Sequence, residues 1–275
     1  MLRVFVDSGS SIKQSEKEKY RVDIIPLLFH LGGKEYRDGI DLDNEAFYDF
    51  LIHKKEFPKT SLPSLKETEE QIQTYLSQGD EVLILTISGD ISGTYNALRL
   101  LFEEEENVHV IDTRMAVGGI RILVEEINAH RDEETGRIIE RIQNLIPRIR
   151  IMAIPETLEY LFLGGRLSKK DYILGSLVNI KPIIGIEDGK VKMFAKKIGL
   201  KNAMKYLAAQ LIKEECDPDY PIIPSMTYNQ ANLDTLIALT EPRFHAQMES
   251  IDDLDHAIAC HWGPNAFGYI FVSKK

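Results

Sequence analysis

The apolar positions in the first half of the chain fall into two alternating kinds of segment. Arg3–Asp7 (RVFVD), Glu81–Ile87 (EVLILTI) and Val108–Asp112 (VHVID) are short, nearly continuous apolar runs, the mark of buried strands. Between them lie stretches with helical period. One helix is predicted over 43–52, where Phe47 and Leu51 share a face. Another is predicted over 65–76, with Ser64 at the N-cap and Glu67 three residues on. Further helices are predicted after Gly93, over 116–129 and over 133–146. Gly32–Gly33 separates two apolar runs as a hairpin turn. The segment Pro58–Ser64 (PKTSLPS) holds two prolines, which disfavour helix and central strand alike. It is expected to be a shaped loop presenting Thr60 and Ser61.

Strand, loop and helix alternate to about Arg148, the pattern of an open, mostly parallel α/β sheet with flanking helices. Beyond that point the texture changes. The pattern predicts a short helix near 156–161, a glycine pair at Gly164–Gly165 and a helix over 172–178. Two strand-like runs then meet at Asp188–Gly189, followed by helices over 200–214 and 230–240, each leading to a strand candidate. The expectation is an α/β protein of two domains, 1–148 and 149–275, the second also α/β.

Composition narrows the function classes. With 44% hydrophobic and 28% charged residues the chain reads as globular, and a net charge of −10 disfavours nucleic acid as a ligand. Cys216 and Cys260 fit neither a disulfide framework nor zinc spacing, so two reduced cysteines in a cytoplasmic protein are expected. No signal peptide is visible, and no apolar run approaches the ~18 residues of a membrane span, so integral membrane insertion is not expected. The segment 189–205 carries six lysines and no acid. It reads as a solvated face or as a docking face for an acidic partner.

Ligands of an open α/β sheet sit beyond the carboxyl ends of its strands. Three loops should meet there: DSGSS after the first strand, SGDISGTYN after EVLILTI, and PKTSLPS. All are rich in hydroxyls and poor in cations. Ser92 and Gly93 stand where a helix begins, a place suited to a carboxylate or a single phosphate, although Ser92 could equally be a plain helix cap. Familiar enzyme motifs are absent. GDISG lacks the spacing of a nucleophile elbow, GIEDGK falls short of a P-loop, and His256 and His261 are poorly spaced for a shared metal. Neither a metal nor a nucleotide cofactor is expected. Arg166, beside two glycines, could serve as a phosphate donor or sit in a surface ion pair. His261 by itself reads as a turn residue.

The set DS, RDGID, FPKTSLPS, ISGTYNA, VID, LEYLFLGGRLS, LGSLVNIKPII, DGKV and CHWGPNAFG, in this order along nearly the whole chain, resembles the DegV family. That resemblance implies a two-domain α/β fold that binds one long-chain fatty acid in a buried tunnel. It further implies presentation of the carboxyl group to a separate fatty acid kinase in bacteria, which makes the acyl phosphate. By the same resemblance Thr60 and Ser92, with Ser61 and Gly93 beside them, hold the head group, while Arg166 and His261 serve phosphate transfer and the partner kinase. Leu62, Trp262 and Asn265 depart from the family pattern at the mouth and the tunnel.

A tunnel needs apolar lining, and Ile91, Ile120, Leu123, Leu161, Phe162, Leu174, Leu177 and Phe267 are candidates, with ordinary core packing as the alternative for each. Two other functions stay open on the residues alone. One is a phosphotransferase or hydrolase using Ser92 or His261; the other is a carrier of a different long-chain lipid.

Overall fold

The structure, a computed structural model, describes residues 1–54, 56–175, 179–250 and 252–275. The first half contains β1 (Leu2–Asp7), β2 (Asp23–Ile25), β3 (Leu28–Leu31), β4 (Lys34–Arg37), β5 (Lys59–Ser61), β6 (Glu81–Thr86) and β7 (Val108–Asp112). Four of them form a parallel sheet in the order β2-β1-β6-β7, and the other three an antiparallel sheet in the order β4-β3-β5. The second half contributes β8 (Ile149–Ile154), β9 (Ile180–Glu187), β10 (Lys190–Ile198), β11 (Ile223–Met226), β12 (Asp252–Asp253) and β13 (Phe267–Val272). These make one mixed sheet in the order β10-β9-β8-β13-β11-β12. The architecture is thus α/β, with a parallel N-terminal sheet and a mixed C-terminal one.

Most predicted elements are present. The helix Leu65–Leu76 is capped by Ser64, whose Oγ accepts from Glu67 N. Gly32–Gly33 closes the β3–β4 hairpin, and Asp188–Gly189 closes β9–β10. The helix expected over 172–178 is seen as Lys169–Gly175, and residues 176–178, including the tunnel candidate Leu177, lie outside the described residues.

Two expectations are corrected. PKTSLPS is not wholly loop, because Lys59–Ser61 pairs antiparallel with β3, Phe29 opposite Thr60. The strand survives because it is an edge, and because Pro58 and Pro63 lie outside its three paired residues. His261 is not in a turn. It belongs to the helix His256–Trp262, which the sequence pattern did not reveal.

The halves share one core. Leu83, Leu85, Ile120 and Leu123 of the first belong to the same buried cluster as Ile149, Ile151, Ile223 and Ile270 of the second. Polar residues tie the strand ends that face this junction. Fully buried Asp7 accepts hydrogen bonds from Gly9 N (3.0 Å) and Ile87 N (2.8 Å), locking the end of β1 to that of β6. Ser8 Oγ donates to buried Asp38 (2.7 Å) and accepts from Leu27 N (3.1 Å). Among the described residues no helix is long and apolar enough to cross a membrane.

Candidate functional site

A cavity of about 340 Å³ opens where the carboxyl ends of β2 and β6 meet β5, the β9–β10 hairpin and the helix His256–Trp262. Its polar lining consists of Thr60, Ser61, Ser92, Gly93, Arg166 and His261. The remaining wall is apolar, with Ile87, Ala116, Leu161, Ile186, Ile258 and Trp262 prominent. A pocket that is mostly apolar with a few convergent polar groups is the usual form of a small-molecule site.

The polar residues converge from distant parts of the chain. Thr60 Oγ1 and His261 Nε2 are 2.9 Å apart and share a hydrogen bond. Thr60 reaches this position from edge strand β5, and His261 from the last turn of its helix. The helix is anchored at its other end, where Lys13 Nζ pairs with Asp255 Oδ1 at 2.6 Å. The glycine pair before Arg166 has two separate jobs. A Cβ on Gly164 would sit 2.3 Å from His261 Nδ1, so only glycine leaves room for the ring. Gly165 has φ of +76°, the left-handed turn that ends the helix Glu159–Leu163 and aims Arg166 back at the cavity.

Arg166 is half-buried and is held by backbone oxygens. Its Nε donates to Ile91 O (2.9 Å) and its Nη1 to Gly164 O. It forms no ion pair among the described residues. Burial lowers its pKa only from a very high starting value, so the guanidinium remains a cation with its Nη2 unengaged. His261 is pushed down to about 3 by enclosure in protein and then by the neighbouring Arg166 charge, so the imidazole is neutral. Its Nδ1 is buried and has no hydrogen-bond partner among the described residues.

Ser92 lies two residues before Thr94, the first residue of its helix, with Gly93 at the N-cap. Its Oγ accepts from Thr94 N (3.3 Å) and shares a hydrogen bond with Thr94 Oγ1 (2.9 Å). The hydroxyl therefore both supports the helix start and lines the cavity. Ser61 stands at the rim, its Oγ 3.3 Å from His30 Nε2.

The apolar candidates divide. Ile91 and Leu161 line the cavity; Ile120, Leu123, Phe162, Leu174 and Phe267 do not. Ile120 and Leu123 are fully enclosed in the shared core. Phe162 stacks on Tyr172 with ring centroids 4.4 Å apart, and Leu174 is 38% exposed. Phe267 borders a separate small void instead. Residues not singled out from the sequence, Ile87, Ala116, Ile186 and Ile258 among them, supply the wall. They sit at strand ends, a hairpin and a short helix, where the apolar pattern is the same for core and lining.

The arrangement suits an anion with an apolar body. One fixed cation and several hydroxyls can accept a carboxylate, and charge-assisted hydrogen bonds are the stronger kind. Among the described residues no group of three or more His, Cys, Asp or Glu is placed to hold a metal ion.

Comparison with known proteins gives a consistent picture. A DegV domain-containing protein of Caldanaerobacter subterraneus subsp. tengcongensis is 28% identical, with 99% of each chain covered. The fatty acid binding DegV family protein of Streptococcus agalactiae is 27% identical and superposes with a TM-score of 0.90 over 100% of this chain and 99% of that one. The DegV family protein of Thermus thermophilus, also described as fatty acid binding, is 25% identical with a TM-score of 0.86 and 99% of each chain covered. The family model described as "Uncharacterised protein, DegV family" matches residues 1–274, and on that match the chain belongs to the DegV family.

Proposed function

We propose that the protein binds one long-chain fatty acid, carboxyl group at Thr60, Ser92 and Arg166, acyl chain in the apolar remainder of the cavity, and presents that carboxyl to a separate fatty acid kinase for acyl phosphate formation. The observation that carries this reading is the cavity itself: apolar walls with a gathered polar end whose cation, Arg166, has no acidic partner among the described residues. The fatty acid binding DegV proteins named above support it. In the proposal, residues 1–148 supply most of the head-group site and residues 149–275 complete the tunnel. Cavity-lining residues come from both.

The Thr60–His261 pair gives the head group a specific partner. If the neutral imidazole carries its proton on Nε2, it donates to Thr60 Oγ1, and the Thr60 O–H turns to the carboxylate. His261 then positions Thr60, and Arg166 neutralises the ligand and the acyl phosphate that replaces it. Burying each methylene is worth ~0.8 kcal/mol, so the chain dominates affinity and the head-group bonds decide which end faces out. The geometry favours a carrier over a hydrolase. No carboxylate among the described residues bonds His261, so the orienting acid of a nucleophile–His–acid triad is missing.

Titration of lipid-free protein with myristate and with methyl myristate tests this reading. The ester keeps the chain but loses the anion, so it should bind at least about tenfold more weakly, given about 1.5–3 kcal/mol for a hydrogen bond to a charged group. Equal binding of acid and ester, or binding of neither, would count against it. Addition of ATP and a fatty acid kinase to the loaded protein should then yield acyl phosphate, whereas the protein with ATP alone should yield none.

A further inference from the structure

We infer that Trp262 closes the far end of the acyl cavity and so sets the length of acyl chain the protein accepts. The inference rests on the fatty-acid reading above and adds the class of chain.

Trp262 borders two spaces. On one side is the 340 Å³ cavity; on the other is a void of about 20 Å³ walled by Val117, Ile151, Leu254, Phe267 and Ile270 among others. Trp262 is the one described residue shared by both linings. Beyond it the wall is almost wholly apolar, the kind of surface an acyl tail would occupy if the indole were absent. The partition is held at both ends of its helix. Lys13 pairs with Asp255 before it, and Thr227 Oγ1 donates to Gly263 O at 2.7 Å after it. The next residue is also confined, since a Cβ at Gly263 would meet Tyr160 at 2.4 Å. The indole N–H has no hydrogen-bond partner among the described residues, so replacing the ring leaves no partner unsatisfied.

The volumes set the scale. At interior packing density a methylene takes up about 23 Å³, and a carboxyl about twice that. Trp→Leu frees about 60 Å³, room for two to three carbons. Trp→Ala frees about 140 Å³ and joins the void beyond, room for roughly six.

The test is titration of lipid-free wild type, Trp262→Leu and Trp262→Ala with laurate, myristate, palmitate and stearate, with thermal unfolding to confirm that each variant is folded. The ratio of stearate to myristate affinity should rise about tenfold from wild type to Trp262→Leu, as the cost of overfilling a packed cavity is relieved, and further in Trp262→Ala. Trp262→Leu alone decides the matter if Trp262→Ala fails to fold. A ratio unchanged in Trp262→Leu would overturn the inference while leaving fatty acid binding intact. Failure of wild type to bind any of the four would overturn the fatty-acid reading and this inference with it.

Discussion

Thr60→Val removes one hydroxyl at nearly constant volume, so it isolates the hydrogen bond that joins the two halves of the site. In the free protein His261 Nε2 loses its 2.9 Å partner, and Nδ1 already has none. A buried polar group left unpaired costs about 1–3 kcal/mol, which should appear as a lower urea midpoint. In the complex a bond to the carboxylate is lost, about 1.5–3 kcal/mol or roughly 10- to 150-fold in affinity. The chain keeps its apolar contribution, so binding should weaken and not vanish. If His261 acts on the ligand only by orienting Thr60, His261→Ala should cost about 1 kcal/mol alone and nothing further in a Thr60→Val background. Isothermal titration of the four proteins with myristate closes this double-mutant cycle. Losses that add within about 0.5 kcal/mol would refute the relay and leave the two residues as independent contacts.

Other outcomes follow from the same geometry. Gly164→Ala places a methyl 2.3 Å from His261 Nδ1 and should displace the ring, weakening myristate binding about as much as His261→Ala does; unchanged titrations would contradict the contact. Arg166→Ala should weaken fatty acid binding by roughly 10- to 150-fold without abolishing it, and the protein that is still loaded should support little acyl phosphate formation with a fatty acid kinase; unchanged binding would contradict the carboxyl–Arg166 contact. Burial pushes Asp7, Asp38 and Asp252 up to about 7. Their contribution to stability is complete below the unfolded carboxylate value and falls as pH rises through about 7, at about 1.4 kcal/mol per unit for each group. His256 and His261, pushed down to about 4 and about 3, act in the other direction, stabilising above about 6.5 and losing that contribution as pH falls. Asp38→Asn deletes one group of the first kind, so its urea midpoint should gain on that of wild type between pH 4 and 8; parallel midpoints would contradict the raised value.

The alternation of strands and most helices were legible because strand and helix periods are local. Asp43 and Ser64 mark helix starts by their own chemistry, and each does cap one. The polar residues that line the cavity were singled out by the resemblance of their motifs to the DegV family; on the residues alone Ser92 could equally be a helix cap, Arg166 a surface ion pair and His261 a turn residue. What the sequence hid was contact across the chain. Thr60 and His261 are 201 residues apart, and nothing local announces their bond. Strand β5 was hidden by its flanking prolines, and the helix His256–Trp262 by being apolar nearly all round. The tunnel was the least legible part. Leu161 and Phe162 are adjacent and both apolar, yet one lines the cavity and the other stacks on Tyr172. Periodicity tells which face is buried, and not whether the space beside it is filled. The functional meaning of DS and RDGID was likewise invisible, since Asp7 and Asp38 fix strand ends by buried hydrogen bonds and do not line the cavity.

The most direct test of the central claim is native mass spectrometry of the purified protein, followed by organic extraction and mass analysis of what it carries. The account predicts an added mass equal to one fatty acid per chain, recovered as a free acid. A protein that emerges empty, and stays empty after incubation with laurate, myristate, palmitate and oleate, would contradict it.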